Sequence, residues 1–190
     1  MNPRTAGVAA GLLGLSAIQP AAQSPSAASW REFRAATLNI AFRHPATPGL
    51  RIEARAATCA ESDRNWAGGA PDSMLVVTRT AASLDQVAAY LGIVRQDGRW
   101  VAAGYQGTRV PVAAVHGGGW DALVATDAVT VVYDMALRSP VPAPQWRFVA
   151  IGPAADSCRP LLLALATRMA GGWDSTTVSA VLATARPRAP

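Results

Sequence analysis

Short apolar runs separated by turn residues fill the chain from Leu38 to Ile151, and this punctuation dictates β-structure over most of that span. Leu38, Ile40 and Phe42 alternate with Asn39, Ala41 and Arg43 up to His44-Pro45, and Leu50, Ile52, Ala54 and Ala56 alternate with Arg51, Glu53 and Arg55. The turn residues Pro45 to Gly49 lie between the two runs, so they predict a hairpin. A polar loop, Ala60 to Asp72, precedes a third strand over Met74 to Arg79. Asp97-Gly98 is a tight-turn signal ahead of a strand over Arg99 to Tyr105, and Pro111 places the strand Val110 to Val115 at a sheet edge. Ala122 to Ala125 and Ala128 to Asp134 predict a hairpin about Thr126-Asp127, and Trp146 to Ile151 is a further short strand. Between these, Ser139 to Pro144 (SPVPAP) is a stiff, extended connector.

Helical spacing is confined to three places. Ser83 with Gln86 forms a capping box, Leu84, Val87, Ala88 and Leu91 repeat at i, i+3, i+4 and i+7, and Gly92 closes the segment. Leu161 to Met169 is strongly apolar, with Pro160 ahead of it and Gly171-Gly172 behind, and predicts a second helix. A third begins at Ser175 and puts Val178, Val181, Leu182 and Ala185 on one face. The pattern predicts an α+β fold: a mainly antiparallel sheet with one inserted helix and two C-terminal helices packed on it.

The first 28 residues read as an export signal. Arg4 supplies the positive n-region, Thr5 to Ile18 is an uncharged apolar run, and Ser26-Ala27-Ala28 offers small residues for cleavage after Ala28. The run is shorter than the roughly 20 apolar residues a membrane span needs, and Ile18 stands where a lipoprotein signal would carry its Cys. Membrane attachment is therefore expected only through an uncleaved signal. The expected organisation is a signal peptide over 1–28, one globular domain over 29–185 and a disordered tail over 186–190. Export implies an oxidising compartment, periplasmic or extracellular, in which Cys59 and Cys158 are expected to pair. Such a bridge closes a loop of about 100 residues and contributes roughly 4 to 5 kcal/mol in the chain-entropy model.

Composition excludes more than it proposes. All 17 basic residues are Arg. Without Lys there is no phosphate-binding P-loop Lys, no Schiff base with pyridoxal phosphate and no Ser-x-x-Lys nucleophile. The net charge of +5 is spread along the sequence, with Arg51 and Arg55 flanking Glu53 and no run of arginines interleaved with aromatics, so no nucleic-acid partner is expected. His44, Cys59, His116 and Cys158 lack the spacing of metal ligands, and no cofactor or metal is expected. Six tryptophans suit core and rim positions. Trp66, with Glu61, Asp63 and Arg64 in the polar loop, is the aromatic set out as a contact residue.

Leu38 to Pro45 (LNIAFRHP), the strand and helix of Ser73 to Gly92, and a closing helix after Trp146 to Ile151 resemble the pattern of PsbP-like domains found in many exported bacterial proteins. The resemblance spans about 130 residues and implies a binding or accessory role, with no catalytic residues to carry over. A second string, His116-Gly117-Gly118-Gly119-Trp120, is similar to the His-Gly-Gly-Gly-Trp motif of hormone-sensitive-lipase-like α/β-hydrolases. It implies an oxyanion hole from the glycine amides, with Ala155-Asp156-Ser157 in the place of the nucleophile turn. The sequence departs from that family where the triad must form. Ala155 and Arg159 occupy the glycine positions of the nucleophile elbow, and no His follows Ser157. The competing reading of the glycine run is a loop or bulge between strands, with Trp120 packed on the sheet.

The balance is a periplasmic or secreted, non-enzymatic protein that binds a partner protein or small ligand. The alternatives are a divergent serine hydrolase using Ser157, His116, Gly117, Gly118 and Gly119, and an inhibitor or immunity protein for a secreted toxin.

Overall fold

Two uninterrupted apolar runs, Met74 to Val77 and Leu161 to Ala164, determine the layering. Successive side chains of a strand point to opposite faces, so a strand apolar at every position must be covered on both. A computed structural model describes residues 30–55, 73–80, 83–104, 107–134, 136–154, 158–167 and 172–187. Its elements are β1 (Trp30–Ala35), β2 (Ile40–Pro45), β3 (Arg51–Ala54), β4 (Ser73–Thr80), α1 (Leu84–Tyr90), β5 (Ile93–Gln96), β6 (Arg99–Ala103) and β7 (Arg109–Pro111). They continue with β8 (Ala113–Gly117), β9 (Trp120–Asp134), β10 (Ser139–Ile151), β11 (Cys158–Thr167), α2 (Ser175–Thr184) and β12 (Arg186–Pro187).

The central sheet has the order β3-β4-β11-β10-β9-β8, antiparallel except for the β3–β4 pair. One face presents Met74, Val76, Trp120, Phe148 and Leu162 to β1, β2 and α2, including Phe42, Val178, Val181 and Leu182. The other presents Leu75, Val77, Leu123, Ile151 and Leu161 to α1 and the small sheet β5-β6-β7, through Val87, Ala88, Ile93 and Ala102. The sheet is thus the middle of three layers, which explains its Leu- and Val-rich strands.

The α+β class, the predominantly antiparallel pairing, and the inserted helix hold. At α1 the Ser83 hydroxyl accepts from the Gln86 amide at 3.2 Å while the Gln86 side chain accepts from the Ser83 amide at 3.1 Å. The Asp97-Gly98 turn joins β5 to β6 with both residues at positive φ, 49° and 75°. Pro111 lies in β7, an edge of its sheet.

Several expectations fail for one reason: local pattern does not say what lies on the far face of an element. Leu161 to Met169 is not a helix over its described part; it continues β11 to Thr167, so there is one C-terminal helix rather than two. The hairpin between 38–43 and 50–56 does not form. β2 pairs instead with β1 and β12, while β3 leaves for β4 in parallel. Thr126-Asp127 is not a turn but a bulge within the single strand β9, two residues opposite Trp146, since Ala128 pairs with Gln145 and Ala125 with Arg147. The 110–115 run is cut at Val112, where the chain passes from β7 to β8 in another sheet.

The Ser139 to Pro144 connector is the first half of β10. Pro140, Pro142 and Pro144 lie two residues apart, so their missing N–H groups all fall on one side. β9 pairs on the other side, and the described pairing with β11 begins only at Gln145. Arg186 and Pro187, read as the start of a loose tail, pair with Ala41 and Ile40 as β12.

Candidate functional site at the His116 hairpin

The three glycines after His116 are not equally constrained. Gly118 and Gly119, at φ 59° and 80°, form the two-residue turn between β8 and β9, in which Gly117 faces Trp120. Both central residues of such a turn are left-handed, which favours glycine. Gly118 carries a second constraint: a Cβ there would lie 2.7 Å from the backbone carbonyl oxygen of Leu182, so α2 seats directly on the turn. At Gly119 a Cβ would meet only the Pro153 ring, at 3.9 Å, and at Gly117 it would meet nothing within 4 Å.

Trp120 follows as the anchor of the hairpin, 1 % exposed. Its indole lies over Gly152, where a Cβ would approach the ring to 3.0 Å. Its Nε1 is a buried donor without an acceptor among the described residues. His116 and Asp121 face each other across the hairpin, with Nδ1 and Oδ1 2.7 Å apart and the side chains 72 % and 49 % exposed. So open an ion pair contributes at most about 1 kcal/mol.

The glycine run is therefore a turn between strands with Trp120 packed on the sheet. Ser157 lies outside the described residues. Its neighbour Cys158 opens β11, which is three strand spacings, about 14 Å, from the β8 that carries His116. Cys59 and Trp66 also lie outside the described residues. No cysteine among the described residues is a free thiol, and Cys158 is half-buried opposite Thr80. No family model, curated protein or solved structure matches the chain.

The remaining described tryptophans make contacts within the fold. Trp146 stacks on Phe148 with centroids 5.8 Å apart, and Trp173 leans on both at 5.5 and 6.0 Å. Trp146 Nε1 donates to the Trp173 carbonyl at 3.1 Å, and Trp173 Nε1 donates to the Thr47 hydroxyl at 2.9 Å. Trp100 is half-buried beneath the Arg95 guanidinium, 4.6 Å from its ring. No three His, Cys, Asp or Glu side chains converge among the described residues.

Three polar settings escaped the sequence reading. His44 stacks on Trp173 at 6.0 Å with its Nδ1 2.8 Å from the Pro45 carbonyl; burial pushes its pKa down, against that carbonyl and with help from Arg31. Arg147 is buried on β10 and donates to Gln145 Oε1 at 2.6 Å and to the Leu91 carbonyl at the end of α1 at 3.0 Å. Desolvation lowers its pKa too. The third setting is the exposed face of β1, β2 and β12, where Arg34, Arg43 and Arg186 gather. No local signal marks these groups, because each depends on contacts between distant segments.

Proposed function

We propose that the chain is an exported, non-enzymatic accessory domain that binds a partner protein or ligand in the periplasm or outside the cell. The observation that carries the reading is the setting of Gly118. The string that most suggested catalysis is accounted for by chain reversal and by contact with the Leu182 carbonyl. The signal-type N-terminus and the PsbP-like strand and helix pattern support export and an accessory role. A Cys59–Cys158 disulfide belongs to the same reading: peptide mapping after secretion is expected to show the two cysteines linked, with a gain of two hydrogen atoms on reduction. Two alkylatable thiols would sink it.

The His116–Asp121 contact favours one second reading, a divergent hydrolase, because it presents an imidazole held by a carboxylate. Incubating the purified chain with p-nitrophenyl butyrate separates the two. No turnover above buffer is expected; turnover abolished by Ser157→Ala or His116→Ala would make the protein an enzyme. Export is read by fractionating a C-terminally tagged chain and sequencing its N-terminus, with processing expected after Ala28.

A further inference from the structure

We infer that the outer face of the β1-β2-β12 sheet is a docking surface for an acidic peptide segment of a partner protein, with Arg34, Arg43 and Arg186 receiving its carboxylates around a floor formed by Ala41. The inference deepens the partner-binding reading above and rests on it.

The strand registers assemble this surface. Ala41 sits in the middle strand, opposite Arg34 on β1 and Arg186 on β12, with neighbouring Cα atoms about 5 Å apart. Arg43 lies two residues along β2 on the same face and opposite Glu32. Three guanidinium groups therefore surround one methyl side chain, and all three arginines are exposed. The small floor leaves two shallow hollows, of about 200 and 290 Å3, which share Glu32 and Ala41. Arg34 lines the first; Arg43 and Arg186 line the second, beside Thr184 at the end of α2.

The charge on this face is incompletely neutralised. Among the described residues Glu32 is its one carboxylate, bonded to Arg34 at 2.9 Å and held below the usual carboxylate range first by that bond. Among the described residues no carboxylate forms an ion pair with Arg43 or Arg186. The Glu32–Arg34 contact, between neighbours on β1, is an arginine–carboxylate pair already present on this face. Glu32 also faces Arg43 across the strands and feels its charge, without an ion pair between them, so a partner's Glu or Asp side chains would find Arg186 open and Arg43 only partly offset, and the fork of an Arg suits carboxylates in particular.

Two other anionic partners fit less well. A membrane surface is gripped by apolar side chains beside the basic ones. The large exposed apolar residues described are Tyr90, Val94 and Leu137, on α1, β5 and the β9–β10 connection. A nucleic acid needs a longer basic track and stacking aromatics, but Phe33 faces the core and Trp30, at the start of β1, is half-buried against the same cluster.

The test is fluorescence anisotropy of the purified full chain with a fluorescein-labelled peptide of alternating Glu and Ala. Saturable binding is expected, weakened about tenfold by Arg43→Glu with Arg186→Glu, but changed less than about twofold by Arg99→Glu with Arg109→Glu on the opposite layer, a pair that removes the same charge. Arg43→Gln with Arg186→Gln repeats the test without reversed charge, should the first pair unfold the chain. The proposal is overturned by absence of saturable binding, by equal weakening in the two double variants, or by stronger binding to phosphatidylglycerol vesicles or single-stranded DNA than to the peptide. Ester turnover would sink the non-enzymatic reading while leaving this titration intact, so the two failures are distinct.

Discussion

Two buried indoles illustrate how satisfaction, more than burial, sets the cost of a substitution. Trp120 and Trp146 are 1 % and 3 % exposed, but among the described residues only Trp146 has a partner for its N–H, the Trp173 carbonyl. Replacing either by Phe removes a similar volume. Trp146→Phe also leaves that carbonyl unpaired, whereas Trp120→Phe removes a donor that lacked an acceptor. Urea denaturation is expected to find Trp146→Phe the more destabilising by about 1 kcal/mol. His44 supplies a pH dependence. Its folded pKa lies below its unfolded value, so the unfolded chain binds the extra proton first. Its contribution to stability is complete above about pH 6.5 and is lost as pH falls from there through the folded pKa. His44→Gln is expected to flatten this part of the stability profile relative to the parent protein; parallel profiles would rule out the titration of His44 as its source.

At the scale of elements, the hairpin of β8 and β9 and the helix α2 depend on each other through one contact. Gly118→Ala must strain a left-handed residue and displace the Leu182 carbonyl, so a loss of more than about 2 kcal/mol is expected. Gly117→Ala, with open space for its methyl, is expected to stay within about 0.5 kcal/mol of the parent. Thermal unfolding of the two variants checks the ranking, and equal losses would mean that the turn does not seat the helix. Legibility varied at this scale for physical reasons. The α1 start was readable because a capping box is closed by residues three apart, and the Asp97-Gly98 turn because its conformation is local. β11 was not, because Leu161 to Ala164 is apolar on every side and a continuous run fits a helix or a doubly buried strand equally. The bulge at Thr126-Asp127 looked like a turn because two polar residues mark both.

For the molecule as a whole, the three-layer arrangement makes two cores that share a sheet but few side-chain contacts. Val181 belongs to the core under α2 and Ile93 to the core under α1. Val181→Ala and Ile93→Val are expected to cost about 2 and about 1 kcal/mol, and the double variant their sum within about 0.5 kcal/mol. A larger interaction energy in that cycle would mean that strain passes through the sheet.

What the sequence determined by itself is whatever local pattern fixes: the α+β class, the capped helix α1 and the glycine-dependent turns. Only the tertiary structure decided which strands pair, that β11 is buried on both faces, and that Arg34, Arg43 and Arg186 meet around Ala41. The first set follows from local backbone preference and side-chain period. The second follows from contacts between segments as distant as β1 and β12, which pattern along the chain does not encode.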